Sequence, residues 1–328
     1  MAACCSENQT LSASLTIMDR LGSFKARWGI ARMDHSMKAG LYAMGRPDGH
    51  SPVLVTSNYK MTVDRVRENL AGRDIWLLVL DTDGINVWCA AGKGTFGTEE
   101  LVSRIHKTGL REKVDHRELI LPQLGATGVS AHEVRNRSGF KVVYGPIRSE
   151  DIPYFLDNAM TVKPSMRKVR FSLLDRLVLT PMEIVIAMEL MLKVFGAMAI
   201  LSALGILPVE RSDYLGLLGS VFMGTFVSPI LLPWIPGRAF SLKGMVTGLV
   251  WAISAVLFLF SRGNANWLQF FSYMLILPSM SAFFTMNFTG SSTYTSLSGV
   301  EKEMKAALPL IIAALTAGIL IRIVSYFI

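Results

Sequence analysis

Ile75-Trp-Leu-Leu-Val-Leu-Asp-Thr-Asp-Gly-Ile-Asn-Val-Trp-Cys-Ala-Ala-Gly-Lys93 is the stretch from which the fold is read. Its first six residues are continuously apolar and rich in strand formers, the pattern of a strand covered on both faces. Asn86 is a good helix N-cap, so Val87 is expected to open a short helix with Cys89 as its third residue. Gly92 and Gly94 should end that helix within two turns. The result would be a short helix laid across the mouth of a sheet, presenting one soft donor.

The flanking sequence supports a parallel sheet. Val53–Thr56 reads as a strand, 61–71 as a helix, 97–109 as a helix, and Glu118–Leu121 as a strand. A helix near 128–137, the strand Phe140–Tyr144 and a helix at 149–159 follow. Strand and helix alternate with apolar strands throughout, which predicts an α/β parallel sheet with helices on both faces. Ligands in such sheets bind beyond the carboxyl ends of the strands. The segments expected there are Ser57-Asn58-Tyr59-Lys60, Asp81-Thr-Asp-Gly84, Pro122-Gln-Leu-Gly-Ala-Thr-Gly128 and Gly145-Pro146. Glycine in three of the four lets a bulky ligand approach the backbone. Thr56, Gly125, Ala126, Gly128, Gly145 and Pro146 are the residues expected to meet it.

Composition separates this region from the rest. Only 18% of the 328 residues are charged, against about 25% in a soluble domain, and 51% are hydrophobic. Residues 1–182 hold 25 Lys/Arg and 19 Asp/Glu, whereas 183–328 hold 8 and 6, so the net +8 divides into +6 and +2. A disordered, collagenous or disulfide-framework chain is excluded. From Glu183 onward five apolar stretches fit membrane helices: 184–207, 214–235, 243–261, 267–288 and 306–327; a span needs about 20 residues. Glu189 and Lys193, four apart in the first, read as a self-neutralising pair on one helix face. Gly216, Gly219, Ser220 and Gly224 offer small surfaces for close packing, and Pro229, Pro233 and Pro236 interrupt or end the second span.

Residues 1–30 lack a sustained apolar run behind a basic start, so no signal peptide is expected and the first half should lie in the cytoplasm. Lys163, Arg167, Lys168, Arg170 and Arg176 precede the first span, and Arg238, Lys243, Lys302 and Lys305 fall on the same side. That asymmetry predicts a multi-pass protein of the cell (inner) membrane with its C-terminus outside. The basic run 163–176 could equally bind acidic headgroups of membrane lipid. No nucleic-acid partner is expected.

Three readings of Cys89 compete on residue chemistry. It could be a small core residue, the usual fate of a lone cysteine. It could be a nucleophile, although no local motif supplies a base. Near a helix start, free amides and the positive dipole end favour an anion, which makes it a credible thiolate ligand. Ala-Gly-Lys-Gly94 is not a phosphate loop, because Val87 stands where glycine is needed and Gly94 where Ser or Thr is needed.

Asn86-Val-Trp-Cys-Ala-Ala-Gly-Lys93 resembles the cap-helix signature of the mercury-methylating corrinoid proteins, the HgcA family. Gly40-Leu-Tyr-Ala-Met-Gly45, Ser51-Pro-Val-Leu-Val-Thr56, Leu121-Pro-Gln-Leu-Gly-Ala126 and Tyr144-Gly-Pro146 are similar to segments of the corrinoid iron–sulfur protein of the acetyl-CoA pathway. The resemblance covers about 40–160. It implies a Rossmann-like corrinoid-binding domain, followed by an all-α domain of about five transmembrane helices. The expected divisions are an N-terminal extension 1–39, a cytoplasmic corrinoid domain 40–162, a basic juxtamembrane linker 163–182 and a transmembrane domain 183–328.

The resemblance further implies that the cofactor is cobalamin or a related corrinoid and that Cys89 is the axial ligand to its cobalt. Asn86, Val87, Trp88, Ala90, Ala91, Gly92 and Lys93 would form the cap helix; alternatively Trp88 packs the helix onto the sheet and Lys93 is a solvated charge. The implied activity is that of a methyltransferase. A methyl group would pass as a carbanion or radical equivalent from methylcob(III)alamin to Hg(II), giving methylmercury, and thiolate donation would favour that direction. An HgcB-like ferredoxin with iron–sulfur clusters would supply electrons, and methylated folate or a methyltransferase the methyl group. Cys4 and Cys5 match no cluster spacing and read as an unremarkable N-terminus. Two alternatives stand beside this: a corrinoid methyl carrier with a non-mercury acceptor, and a transporter with a cytosolic ligand-binding domain.

Overall fold

The structure is a computed structural model and describes residues 9–263 and 266–328; Cys4 and Cys5 lie outside them. The chain divides into two compact units, Met1–Val169 and Arg170–Ile328.

The first unit is an α/β domain. In chain order it contains β1 (Gln9–Thr10), α1 (Ile17–Arg27), β2 (Gly40–Met44), β3 (Val53–Ser57), α2 (Lys60–Asn69) and β4 (Ile75–Leu80). These are followed by α3 (Val87–Lys93), α4 (Thr98–Lys107), α5 (Leu110–Lys113), β5 (Glu118–Leu121), α6 (Ala131–Ser138), β6 (Lys141–Tyr144) and α7 (Ile152–Asp157). The sheet order is β1-β2-β4-β3-β5-β6. Period-two alternation sorts each strand between two cores. Val53, Val55, Trp76, Leu78, Leu80, Leu119 and Leu121 pack with α3, α4 and α6, while Leu54, Ile75, Leu77, Val79 and Ile120 pack with Val63 and Val66 of α2 and Phe155 of α7. Burial on both faces is why these strands read as unbroken apolar runs.

The sheet is not wholly parallel. Strands β3 to β6 pair in parallel, but β2 runs antiparallel to β4, Gly40 opposite Val79 and Met44 opposite Ile75. An antiparallel strand beside a parallel core is common in such domains. Part of the stretch expected as an N-terminal extension joins this sheet and its helices: β1 pairs in parallel with β2, and α1 is tied to α2 by charge. Asp19 receives Lys60 Nζ at 2.6 Å and pairs with Arg67, and both cations also meet Asp64. Burial would raise the Asp19 carboxyl, but hydrogen bonds from Lys60 and from Thr16, its helix N-cap, outweigh it and hold the group well below the usual carboxylate range.

The chain passes from β3 out to β4 on one side and then returns across β3 to β5 on the other. The order therefore reverses at β3, and the crevice lies beyond Ser57, Leu80 and Leu121.

The second unit contains α8 (Leu173–Ala203), α9 (Arg211–Phe222), a π-turn (Met223–Val227), α10 (Ser228–Leu231), α11 (Phe240–Ser261), α12 (Trp267–Asn287) and α13 (Leu297–Ser325). Among the described residues five helical segments are long and apolar enough to cross a membrane: Leu173–Ala203, Arg211–Leu231, Phe240–Ser261, Trp267–Ser291 and Ser298–Ser325. The first starts inside the stretch expected as a linker, because Ser172 and Asp175 form a capping box, and Pro181 is carried within the helix. Gly224, Gly244 and Gly248 let backbones meet: a Cβ at any of them would press on Ser281 of α12. Glu189 and Lys193 pair at 3.1 Å on an exposed face.

A buried polar cluster joins α9, α12 and α13. Arg322 Nε donates to Asp213 at 2.8 Å, Tyr326 donates to the same carboxylate at 2.7 Å and Tyr273 at 3.0 Å, and Glu210 lies 3.1 Å from Arg322. In the linear sequence Asp213 and Arg322 look like loop and tail charges; pairing lets both be buried.

Candidate functional site

The loop after β4 is held from below by one amide side chain. Asn58, directly after β3, accepts at Oδ1 from the backbone of Thr82 (3.1 Å) and Gly84 (3.0 Å), with the Thr82 hydroxyl at 2.8 Å. Its Nδ2 donates to Asp81 at 3.0 Å. Glu100 of α4 accepts the Asp81 amide at 2.8 Å while Arg104 fixes that carboxylate. Asp83 and Gly84 both adopt positive φ, 55° and 68°. A Cβ at Gly84 would also sit tightly, 3.0 Å from the Met33 carbonyl and 3.3 Å from Ser36 Cβ.

This loop delivers Asn86 as N-cap of α3. Its Oδ1 accepts the Cys89 amide at 2.9 Å, so that N–H is engaged and is not a free anion donor. The helix ends at Gly94, left-handed at φ 85°. Its two faces differ. Val87, Ala90 and Ala91 are buried against the sheet, whereas Trp88, Cys89, Gly92 and Lys93 are exposed. Trp88 is 48% exposed, so about half of its surface is open to solvent. A Cβ at Gly92 would meet nothing, so a flat ligand could approach the backbone there. The core-residue reading of Cys89 fails on exposure. Among the described residues no three His, Cys, Asp or Glu side chains form a group that could hold a metal ion.

The other residues expected to meet a ligand pack as follows. A Cβ on Gly128 would overlap the Phe96 carbonyl and lie 3.1 Å from Ala91, and one on Gly125 would press on the Phe96 ring. These glycines make room for the turn after α3 and thereby seat the helix. The space at Gly145 is bounded by Ile120 and Phe155. Thr56 and Pro146 are buried and Ala126 is partly so. Tyr144, whose hydroxyl is pushed up by burial, donates to the Val129 carbonyl at 2.8 Å and fixes the same turn. Asn58 and Thr82 lie in two of the segments expected beyond the strand ends without being singled out as contacts there, and Phe96 lies outside those segments. An asparagine immediately after a central strand was the one available signal for the first.

Residues 24–156 match the family model described as the CO dehydrogenase/acetyl-CoA synthase delta subunit. The match ends before the five apolar helices. The gamma subunit of an acetyl-CoA decarbonylase/synthase complex from Methanopyrus kandleri is 37% identical over 128 residues, which is 38% of this chain and 27% of that protein. The corresponding subunit of Methanocaldococcus jannaschii is 33% identical over 129 residues, 39% of this chain and 26% of the relative. That of Archaeoglobus fulgidus is 34% identical over 123, with 37% and 26% covered. The chain thus spans about a quarter of the length of the curated relatives it matches.

Proposed function

We propose that the first unit binds a cobalt corrinoid at the outer face of α3 and that the chain is a corrinoid-dependent methyltransferase of the mercury-methylating family. The observation that carries this reading is the exposed Cys89 sulfur on a helix whose opposite face is locked into the core. The similarity to acetyl-CoA decarbonylase/synthase subunits supports a methyl-carrying cofactor site in 24–156.

The residues fit such a group. A soft thiolate suits a transition metal, Gly92 leaves open space beside it, and Trp88 offers an apolar surface that would exclude water from the sulfur. A corrinoid bound here would supply a methyl group on cobalt, in the electron-rich form that the electrophile Hg(II) accepts. The chain's own part is positioning. Asn86 fixes the Cys89 backbone, Asn58 and Glu100 fix the loop that carries Asn86, and Gly125 and Gly128 let α3 sit close enough for Val87, Ala90 and Ala91 to lock it. Electrons would come from an HgcB-like ferredoxin and the methyl group from methylated folate or a methyltransferase. The five helices would anchor the domain on the cytoplasmic side of the membrane, with the C-terminus outside.

The test is the absorption spectrum of the full chain loaded with cobalamin, compared with Cys89→Ala. A shift lost in the variant is expected; identical spectra would remove the thiolate ligand. A second reading, a carrier with another acceptor, is favoured by the gamma-subunit similarity. Methyl transfer from the loaded chain to Hg(II) and to other thiophilic acceptors separates the two: transfer only to the others would overturn mercury as substrate.

A further inference from the structure

Helix α1 faces the wrong way for a soluble domain. At 100° per residue Ile17, Leu21, Phe24 and Trp28 form one narrow stripe, and all four are exposed, Ile17 by 77% and Phe24 by 60%. The opposite side carries Ala26, fully buried, and Asp19, held by Lys60 and Arg67. The charge cluster fixes the polar side inward, so the apolar side cannot turn to the core. Ile30 and Met33 continue the exposed surface beyond the helix.

Cations border the stripe. Arg20 and Arg27 fall on one flank and Lys25 on the other, with Arg32 in the following turn. Burial, then the nearby Arg65, lower the Arg27 guanidinium, and Arg32 adds to this. Positive charge is therefore concentrated here. An apolar stripe with aromatic members between two basic flanks is the pattern of a helix lying in a membrane interface. The acidic first-turn Asp19 is turned away from it.

We infer that α1 docks in the plane of an acidic lipid bilayer, with Ile17, Leu21, Phe24 and Trp28 in the headgroup boundary and Arg20, Lys25 and Arg27 on lipid phosphates. The inference is independent of the corrinoid reading. It is consistent with a chain that carries five helices apolar enough to cross a bilayer. Met33, at the end of the exposed surface, packs its carbonyl on Gly84 of the loop that leads to α3, so the docked segment adjoins the support of Cys89.

The test uses the full chain with Cys4, Cys5 and Cys89 replaced by serine, in phosphatidylglycerol-containing liposomes. A nitroxide is placed by Leu21→Cys, Ser23→Cys or, in α11, Leu257→Cys. The label at 21 should collide several-fold more with oxygen than with a water-soluble nickel chelate, as at 257, and the label at 23 should show the reverse. Arg20→Glu with Lys25→Glu should return the label at 21 to water. Equal water access at 21 and 23, dipolar broadening between labels at 21 of two copies, or protection unchanged by charge reversal would each overturn the proposal. A label at 257 in water with one at 21 in lipid would break the spanning reading and leave the docking intact.

Discussion

In the first unit the one cysteine among the described residues is left exposed, and the polar side chains beneath it are engaged with backbone; in the second, Asp213 and Arg322 are withdrawn from solvent and satisfied by each other and by two tyrosines. On the proposed role of Cys89, the difference follows from what each group has to do. A ligand donor needs an open face and a rigid support, and neutral hydrogen bonds to backbone provide rigidity without filling that face. A charge on an apolar helix has no open face to use and must be paired. Support and pairing therefore respond differently to substitution.

The largest loss should come from breaking the pair. Asp213→Leu leaves the buried Arg322 with only the half-exposed Glu210 as counter-charge, with an expected cost of about 3 kcal/mol, read as a lower melting temperature of the full chain in detergent. The double variant Asp213→Leu/Arg322→Leu should recover most of it. No recovery would show that the tyrosines and Glu210 form the essential part of the cluster.

Next is the seat of α3. Gly128→Ala forces backbone at Phe96 and Ala91 to move, at about 1–3 kcal/mol, and should weaken cobalamin binding together with stability, as measured by titration and thermal unfolding. Asn58→Ala removes the acceptor shared by Thr82 and Gly84 and should cost about 1–3 kcal/mol. It should also make the Asp81–Asn86 amides exchange faster with solvent while leaving those of α2 unchanged.

The smallest effect is pH-dependent. The Asp19 carboxyl is held below its ordinary value of 3.8, so its contribution is present above that pH and is lost as pH falls below it through the depressed folded value. Wild type and Asp19→Asn should differ in melting temperature near neutrality and converge in acid. A difference that persists at the lowest pH would assign the effect to packing.

Much of the first unit was legible in the sequence because its signals are local. Continuous apolar runs marked β3, β4 and β5, Asn86 marked the start of α3, and the length and hydropathy of the five apolar segments of the second unit follow from composition. The antiparallel β2 was not legible, since Gly40–Met44 pairs with a strand more than thirty residues away and strand direction leaves no mark in a short segment. Nor did sequence distinguish a glycine that faces open space from one that admits a neighbouring backbone: Gly92 and Gly128 look alike until Phe96 and Ala91 are placed.

What the sequence determined by itself is the division into a charged α/β half and an apolar helical half, together with the cysteine helix, because propensity, periodicity and capping act over a few residues. What only tertiary structure decided is which side each element turns outward. Cys89 and Trp88 face solvent, α1 presents its apolar stripe, and Asp213 meets Arg322 across 109 positions of chain. Facing is set by what a side chain packs against, and those partners are brought together only by the fold.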